Sequence, residues 1–275
     1  MTIMEESAGF VRVDYPGKAG SSPWASIRCL PGAGRIENQD RAGYTPVPLG
    51  DLFLVLDGVG GQRGGSEAAT LALNGYQRAM FNTSPNEDPE QALKQATESV
   101  NAGIETAMVV GGPEMQSMAS TVALALIHRQ VAYIGHIGDS RVYLFRDGAL
   151  RSLTRDHSVT MAMVDHGILS EAQAKDHASS HILTRTLGQP DATLQTTTQA
   201  LLAGDVLLLC SDGLWAYVPE TALTSALSAE QADSSAIANS LLELVITAGA
   251  PDDVSIAVAK PVTTGATDEI GTLSS

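Results

Sequence analysis

Short apolar runs that stop at an acid punctuate this chain. Residues 52–56, Leu-Phe-Leu-Val-Leu, run straight into Asp57 and then into a stretch with glycines at 58, 60, 61, 64 and 65. Residues 206–210 lead through Ser211 to Asp212, residues 131–137 through Gly138 to Asp139, and Asp252-Asp253 precede the run 254–259. Runs this short, rich in Val, Leu and Ile and closed by turn residues, predict buried strands. Further strands are predicted at 9–15, 24–30, 120–127, 141–145 and 192–199, with 131–135 and 205–210 the strand cores of two runs above. Hairpin turns are predicted at 128–130 and at Asp147-Gly148, a strong short-range hairpin signal. Apolar residues at helical spacing predict helices over 66–81, 90–110, 219–227 and 234–248, and over 158–175 with a break at Gly167. The loops fall at 32–40, 82–89, 111–118 and 176–189. Strands, a helix pair, a strand block, then helices and a last strand do not alternate regularly. The order predicts an α+β sandwich of antiparallel sheets covered by helices. No internal repeat or domain boundary is evident, so residues 1–262 read as one domain, followed by a small, polar and flexible tail at 263–275.

At 275 residues, 44% of them hydrophobic and 17% charged, the chain can bury a sizeable core. Sixteen basic against 31 acidic residues give a net charge of −15, which argues against nucleic acid or an anionic membrane surface as partner. It also sits poorly with phosphate chemistry unless bound cations neutralise the site. The two cysteines, Cys29 and Cys210, make no disulfide framework. The acidic N-terminus lacks a basic segment followed by an apolar one, and no apolar run could span a bilayer, so the expected location is cytoplasmic, without membrane insertion.

A lone Asp at a strand end usually just opens a turn. Asp57, Asp139, Asp212 and Asp252, together with Asp40 in Glu37-Asn38-Gln39-Asp40, form a set too regular for that reading alone. Carboxylates held at the mouths of buried strands need a cation or hydrogen-bond donors. An oxygen-only set suits Mg²⁺ or Mn²⁺, and no His or Cys spacing suggests zinc.

With these residues in place the chain resembles the PPM family, the metal-dependent Ser/Thr protein phosphatases of the type 2C kind, in its bacterial single-domain branch. The resemblance runs from about Arg35 to Ala259. It rests on RIENQD, LDGVGGQRGG, AST, IGDSRVYLFRDGALRSLTRDHS, TRTLGQ, GDVLLLCSDGLW and APDDVSIAVA in the family's order. It implies a four-layer αββα sandwich, two antiparallel β-sheets flanked by helices. It further implies that Asp57 bridges two Mn²⁺ or Mg²⁺ ions, that the Gly58 carbonyl binds one of them, and that Asp212 and Asp252 are the other direct ligands. Asp40 matches the acid that holds metal-bound water, Asp139 the ligand of a third ion, and Arg35 the arginine that grips the substrate phosphate. Two ions about 4 Å apart activate water and stabilise an in-line displacement, and a planar guanidinium fits phosphate with two hydrogen bonds.

Three departures stand out. Gln39 takes a position where some members have Glu, Val59 one where eukaryotic members have a proposed general-acid His, and Asp253 replaces the usual Asn. His136 reads as packing. His157 and His181, beside the segment where relatives carry a mobile flap, are loop residues and candidate substrate contacts. Thr121 reads as a structural hydroxyl, Ser140 and Arg141 as supports for Asp139, Arg63 as a solvated side chain and Trp215 as packing under the site. The expected activity is hydrolysis of phosphoserine and phosphothreonine in proteins phosphorylated by a Ser/Thr kinase. The alternative is a catalytically silent scaffold of the same fold that binds phosphoproteins or a signalling partner.

Overall fold

A strand covered on both faces has no polar side to show, so unbroken apolar runs demand a layer above and a layer below. The computed structural model describes residues 2–7, 10–17, 23–59, 62–190, 192–228 and 232–261 and has this arrangement. Along the chain come β1 (Thr2–Ser7), β2 (Phe10–Pro16), β3 (Pro23–Leu30), β4 (Arg41–Val47), β5 (Gly50–Leu56) and the two-residue β6 (Gly58–Val59). Helices α1 (Gln62–Phe81) and α2 (Pro89–Val110) follow, then β7 (Ala119–Ser120), β8 (Val122–His128), β9 (Val131–Ile137), β10 (Arg141–Arg146) and β11 (Ala149–Ser152). Short α3 (Val159–Asp165) and α4 (Glu171–Lys175) precede β12 (Gln195–Ala200) and β13 (Val206–Cys210). Helices α5 (Asp212–Trp215), α6 (Glu220–Leu227) and α7 (Ser234–Thr247) lead to β14 (Val254–Ala259).

One antiparallel sheet has the order β1-β2-β3-β14-β13-β10-β11, the other β12-β9-β8-β5-β4. Side chains alternate between the two faces of each strand. Phe53 and Val55 of β5 share the layer between the sheets with Ile27, Leu207, Leu209 and Ala257. Their neighbours Leu52, Leu54 and Leu56 turn outward to Ala68, Ala72 and Tyr76 of α1 and Leu93 of α2. Leu208 and Cys210 pack with Leu241 and Val245 of α7 on the opposite outer face. The result is the expected αββα order.

Some elements differ from the sequence expectation. β4 was not foreseen because Gly43 and Pro46 interrupt its pattern. It is the edge strand of the smaller sheet, where a missing N–H is tolerated. The N-terminal strand pairs with an unforeseen partner, β1, at the edge of the larger sheet. Helix α1 starts at Gln62 rather than at Ser66, and a single-turn α5 follows β13. The Asp147-Gly148 hairpin forms as expected, with φ of 50° and 78°. Gly9, the glycines at 60 and 61, the Arg63 side chain and the tail 263–275 lie outside the described residues.

The N-terminal hairpin is fastened to the domain by a buried cation. The Arg28 side chain of β3 is fully buried and pairs with Asp14 of β2 at 2.9 Å. It also donates from Nε to Asn239 Oδ1 (2.8 Å) and from Nη2 to Ser235 Oγ (2.9 Å), both on α7. Ser235 Oγ donates in turn to Asp14 Oδ2 (2.9 Å). Removing one partner of such a pair leaves the other charge uncompensated. Arg28→Ala is expected to lower unfolding free energy by about 3 kcal/mol in denaturant titrations, at the low end because Asp14 keeps some solvent contact. A loss under about 1 kcal/mol would contradict this role.

Candidate metal centre

Asp57 leaves β5 just past the last β5–β8 pair, Val55 with Ala123, and its backbone is clamped there. Its N–H donates to Thr121 Oγ1 (3.0 Å), and its carbonyl accepts from Thr121 N–H (2.8 Å) and Ser120 Oγ (3.0 Å). Thr121 Oγ1 also bonds Ser140 Oγ (2.7 Å), tying Asp57 to the loop that carries Asp139. Behind Asp57, a Cβ on Gly65 would lie 2.5 Å from the Gly58 carbonyl oxygen. Only a residue without Cβ permits that backbone contact, and this is why the first turn of α1 contains glycines that intrinsic preference would exclude.

Asp139 is held as firmly. Gly138 before it has φ of 97°, and a Cβ there would meet Thr121 Cγ2 at 2.6 Å. Trp215 Nε1 donates to the Asp139 carbonyl (3.0 Å), so Trp215 does more than pack. The Arg141 guanidinium lies 3.5 Å from the centre of the Trp215 ring and grips Asp156 through two bonds of 2.8 and 2.6 Å. The Asp139 side chain is buried, and its Oδ1 has no hydrogen-bond partner among the described residues. A buried carboxylate oxygen left in this state is costly unless a cation meets it.

Asp40 is buried, with Oδ2 accepting from Ser211 Oγ (2.6 Å). Asp212 follows Ser211 as the first residue of α5, and Asp212, Asp57 and Asp252 are half-buried. Asp253, next to Asp252, is tied to the loop that carries Arg35. Its Oδ1 accepts from Gly32 N–H (2.8 Å), and its Oδ2 accepts from Gln39 N–H (2.9 Å) and Arg35 Nη1 (3.0 Å). Both oxygens are committed to the 32–39 loop, whereas Asp252 accepts through Oδ1 from the Asp253 N–H (2.7 Å). Arg35 also pairs with Asp252 through Nη2.

These acids act on one another. Burial, then the charges of Asp40, Asp139 and Asp252, push the Asp57 carboxyl well up. Burial, then Asp57, Asp139 and Asp252, do the same for Asp212. Asp40 is pushed up to about 8, by burial first and then by Asp212 and Asp253. Asp139 is pushed up to about 7, by burial and then by Asp156. Burial also raises Asp252. Among the described residues no three His, Cys, Asp or Glu side chains are gathered tightly enough to hold an ion as they stand, and Asp252 is turned to Arg35. The chemistry nevertheless fits hard divalent cations: oxygen donors only, an orphaned buried oxygen on Asp139, and repulsion that a cation would relieve.

The family model described as Protein phosphatase 2C matches residues 34–244. The chain belongs to the protein phosphatase 2C family. It is 32% identical over 211 residues to Serine/threonine protein phosphatase PstP of Mycobacterium tuberculosis, covering 77% of this chain but only 40% of that protein. It is 31% identical to Serine/threonine phosphatase stp of Listeria welshimeri, over 75% of this chain and 84% of the relative. Among solved structures, the M. tuberculosis serine/threonine phosphatase PstP/Ppp superposes with a TM-score of 0.79 at 29% identity, covering 86% of this chain and 97% of that one. The catalytic domain of PstP in complex with two manganese ions gives 0.76 at 28% identity, covering 86% and 96%.

In this 2C-family chain several supporting residues escape a reading of motifs alone. Asp156 anchors Arg141 from within the TRDHS motif, and the indole N–H of Trp215 and the carboxylate of Asp253 fix backbone rather than substrate. His136 is buried, as expected of packing, whereas His181 is exposed. A carboxyl whose folded-state pKa is raised contributes stability only while protonated, and that contribution is lost as pH rises through the folded-state value. The chelated protein is therefore expected to melt at progressively lower temperature from pH 5, just above the ordinary carboxyl range, to about 8, through the raised values of Asp139 and Asp40, and saturating Mn²⁺ is expected to remove most of that slope. A chelated melting curve that rises with pH over this window would contradict the clustered acids.

Proposed function

We propose that this chain is a divalent-metal-dependent phosphoprotein phosphatase that hydrolyses phosphoserine and phosphothreonine left by a Ser/Thr kinase. The observation that carries the reading is that the chain beside the site's acids is tied together: the Thr121 hydroxyl bonds the Asp57 N–H and Ser140, next to Asp139; Ser211, next to Asp212, bonds Asp40; and the Arg35 guanidinium pairs with Asp252. The PstP and stp relatives, and the manganese complex of the PstP catalytic domain, support it.

Asp57, Asp139, Asp212 and Asp252, with the Gly58 carbonyl, would hold the ions, two and a third at Asp139. Mn²⁺ or Mg²⁺ bound there supplies Lewis acidity, an acidified water and charge neutralisation for phosphoryl transfer. The chain's own residues do the rest. Arg35, freed from Asp252, offers its planar fork to the phosphate of the incoming side chain. Asp40, fixed by Ser211, adds its charge to those that raise the Asp57 carboxyl. Val59, exposed next to Gly58, has no proton to give, so the leaving oxygen takes its proton from water or another group. A cysteinyl-phosphate route is excluded, because Cys29 and Cys210 are fully buried and burial pushes the Cys29 thiol up to about 12. The scaffold alternative finds no support in a missing ligand, since every expected carboxylate is present.

Hydrolysis of an aryl phosphate and of a phosphothreonine peptide is expected with Mn²⁺ and abolished by chelator. Asp57→Asn is expected to lower kcat by at least about a thousandfold, and Arg35→Lys to raise KM and lower kcat together, since a point charge replaces a fork. Turnover in Asp57→Asn close to the wild type would refute the assignment.

A further inference from the structure

The loop that presents Asp139 is gripped from a second side by a residue the mechanism above does not use. His157 Nδ1 accepts from the N–H of Gly138 (3.1 Å), and the His157 backbone N–H donates to the Gly138 carbonyl (2.9 Å). One residue thus satisfies both backbone groups of the glycine directly before Asp139. Gly138 offers only an N–H there, so Nδ1 carries the lone pair and the ring proton sits on Nε2. That proton faces Gln195 Oε1 at 2.9 Å, on the first residue of β12. The ring is stacked on His136, with centroids 4.6 Å apart and planes 17° from parallel. His136 Nε2 donates to the Arg155 carbonyl (2.8 Å), which fixes the chain just ahead of His157. Arg185 Nη1 lies 3.4 Å from Nε2, and Thr184 N–H donates to the His157 carbonyl (2.8 Å). The imidazole is therefore oriented by contacts at its edge and face before it meets Gly138.

We infer that His157 is a positioning residue, its Nδ1 fixing the Ile137–Gly138 peptide while its backbone N–H holds the Gly138–Asp139 peptide, so that the buried Asp139 carboxylate is aimed to receive a divalent cation. The inference rests on the metal-centre reading above. It replaces the expectation that His157 is a substrate contact, because both ring nitrogens are engaged within the protein. The left-handed Gly138 backbone and the unpartnered Asp139 Oδ1 give the device its purpose. Without the acceptor, the Ile137–Gly138 peptide can rotate, the turn at Gly138 loosens and the oxygen loses its direction. Groups that orient a ligand in this way commonly change metal affinity by about 10- to 100-fold when removed.

The test is Mn²⁺ binding to the full chain, by isothermal titration and by electron paramagnetic resonance of free Mn²⁺, with activity left aside. Asp139→Asn identifies the site that depends on this carboxylate. Asn at 157 puts Oδ1 where Nδ1 stands, whereas Gln reaches only the Nε2 position. His157→Gln is expected to weaken the Asp139-dependent site by about tenfold and leave the remaining Mn²⁺ affinity within about twofold. His157→Asn is expected to restore it to within about threefold of the wild type. Amide exchange at Gly138, measured on the metal-free proteins, is expected to quicken in the Gln variant and not in the Asn variant. Unchanged Mn²⁺ binding in His157→Gln, or equal loss in both variants with both folded by circular dichroism, overturns the inference alone. A wild type that binds no Mn²⁺ overturns it together with the catalytic reading.

Discussion

Five carboxylates of like charge share one end of a two-sheet fold, and everything around them is arranged to hold them there. Left to themselves, Asp40, Asp57, Asp139, Asp212 and Asp252 would separate or keep their protons, since burial and mutual repulsion both disfavour the ionised forms. The chain answers with backbone restraint rather than with counter-charge. Thr121 and Ser120 fix the Asp57 peptide, His157 and Trp215 fix the peptides at Gly138 and Asp139, and Ser211 fixes Asp40. Arg35, on Asp252 and Asp253, is the one cation among the described residues that forms a salt bridge with a member of this set. Restraint without neutralisation is what a cation site requires of its protein.

The layered fold explains how acids so far apart in sequence arrive together. β5, β13 and β14 are buried on both faces, so their apolar residues can continue only until the chain emerges from between the layers. A polar ligand placed directly before or after such a strand is pinned at the rim by the packing of the strand itself. Asp57 and Asp212 follow β5 and β13, and Asp252 precedes β14, which runs antiparallel to β13. The two sheets are joined at this rim by Thr121, whose hydroxyl reaches Asp57 on one side and Ser140 on the other. Packing and chemistry meet in that hydroxyl.

What could be read from the chain divides along the same physical line. Runs such as 52–56 and 206–210 announce doubly covered strands, and the acids at their ends announce a site, because both signals are local. β4 hides behind Gly43 and Pro46, since an edge strand tolerates residues that a central strand does not. Helix α1 begins among glycines because close backbone contact between Gly58 and Gly65 overrides the poor helix preference of glycine. The task of Asp253 was equally out of reach: its partners Gly32 and Gln39 lie more than 200 residues away. His157 looked like a loop side chain open to substrate, and only the folded contacts show it facing Gly138.

The central claim is that these acids converge to hold divalent cations. The most direct measurement is an anomalous-difference map from a crystal of the full chain grown with Mn²⁺ and collected near the manganese absorption edge. The account predicts peaks enclosed by Asp57, Asp212 and Asp252, with Arg35 turned away from Asp252, and weaker density against Asp139. A map with no peak inside this acid cluster, or with manganese bound only elsewhere on the surface, would contradict it.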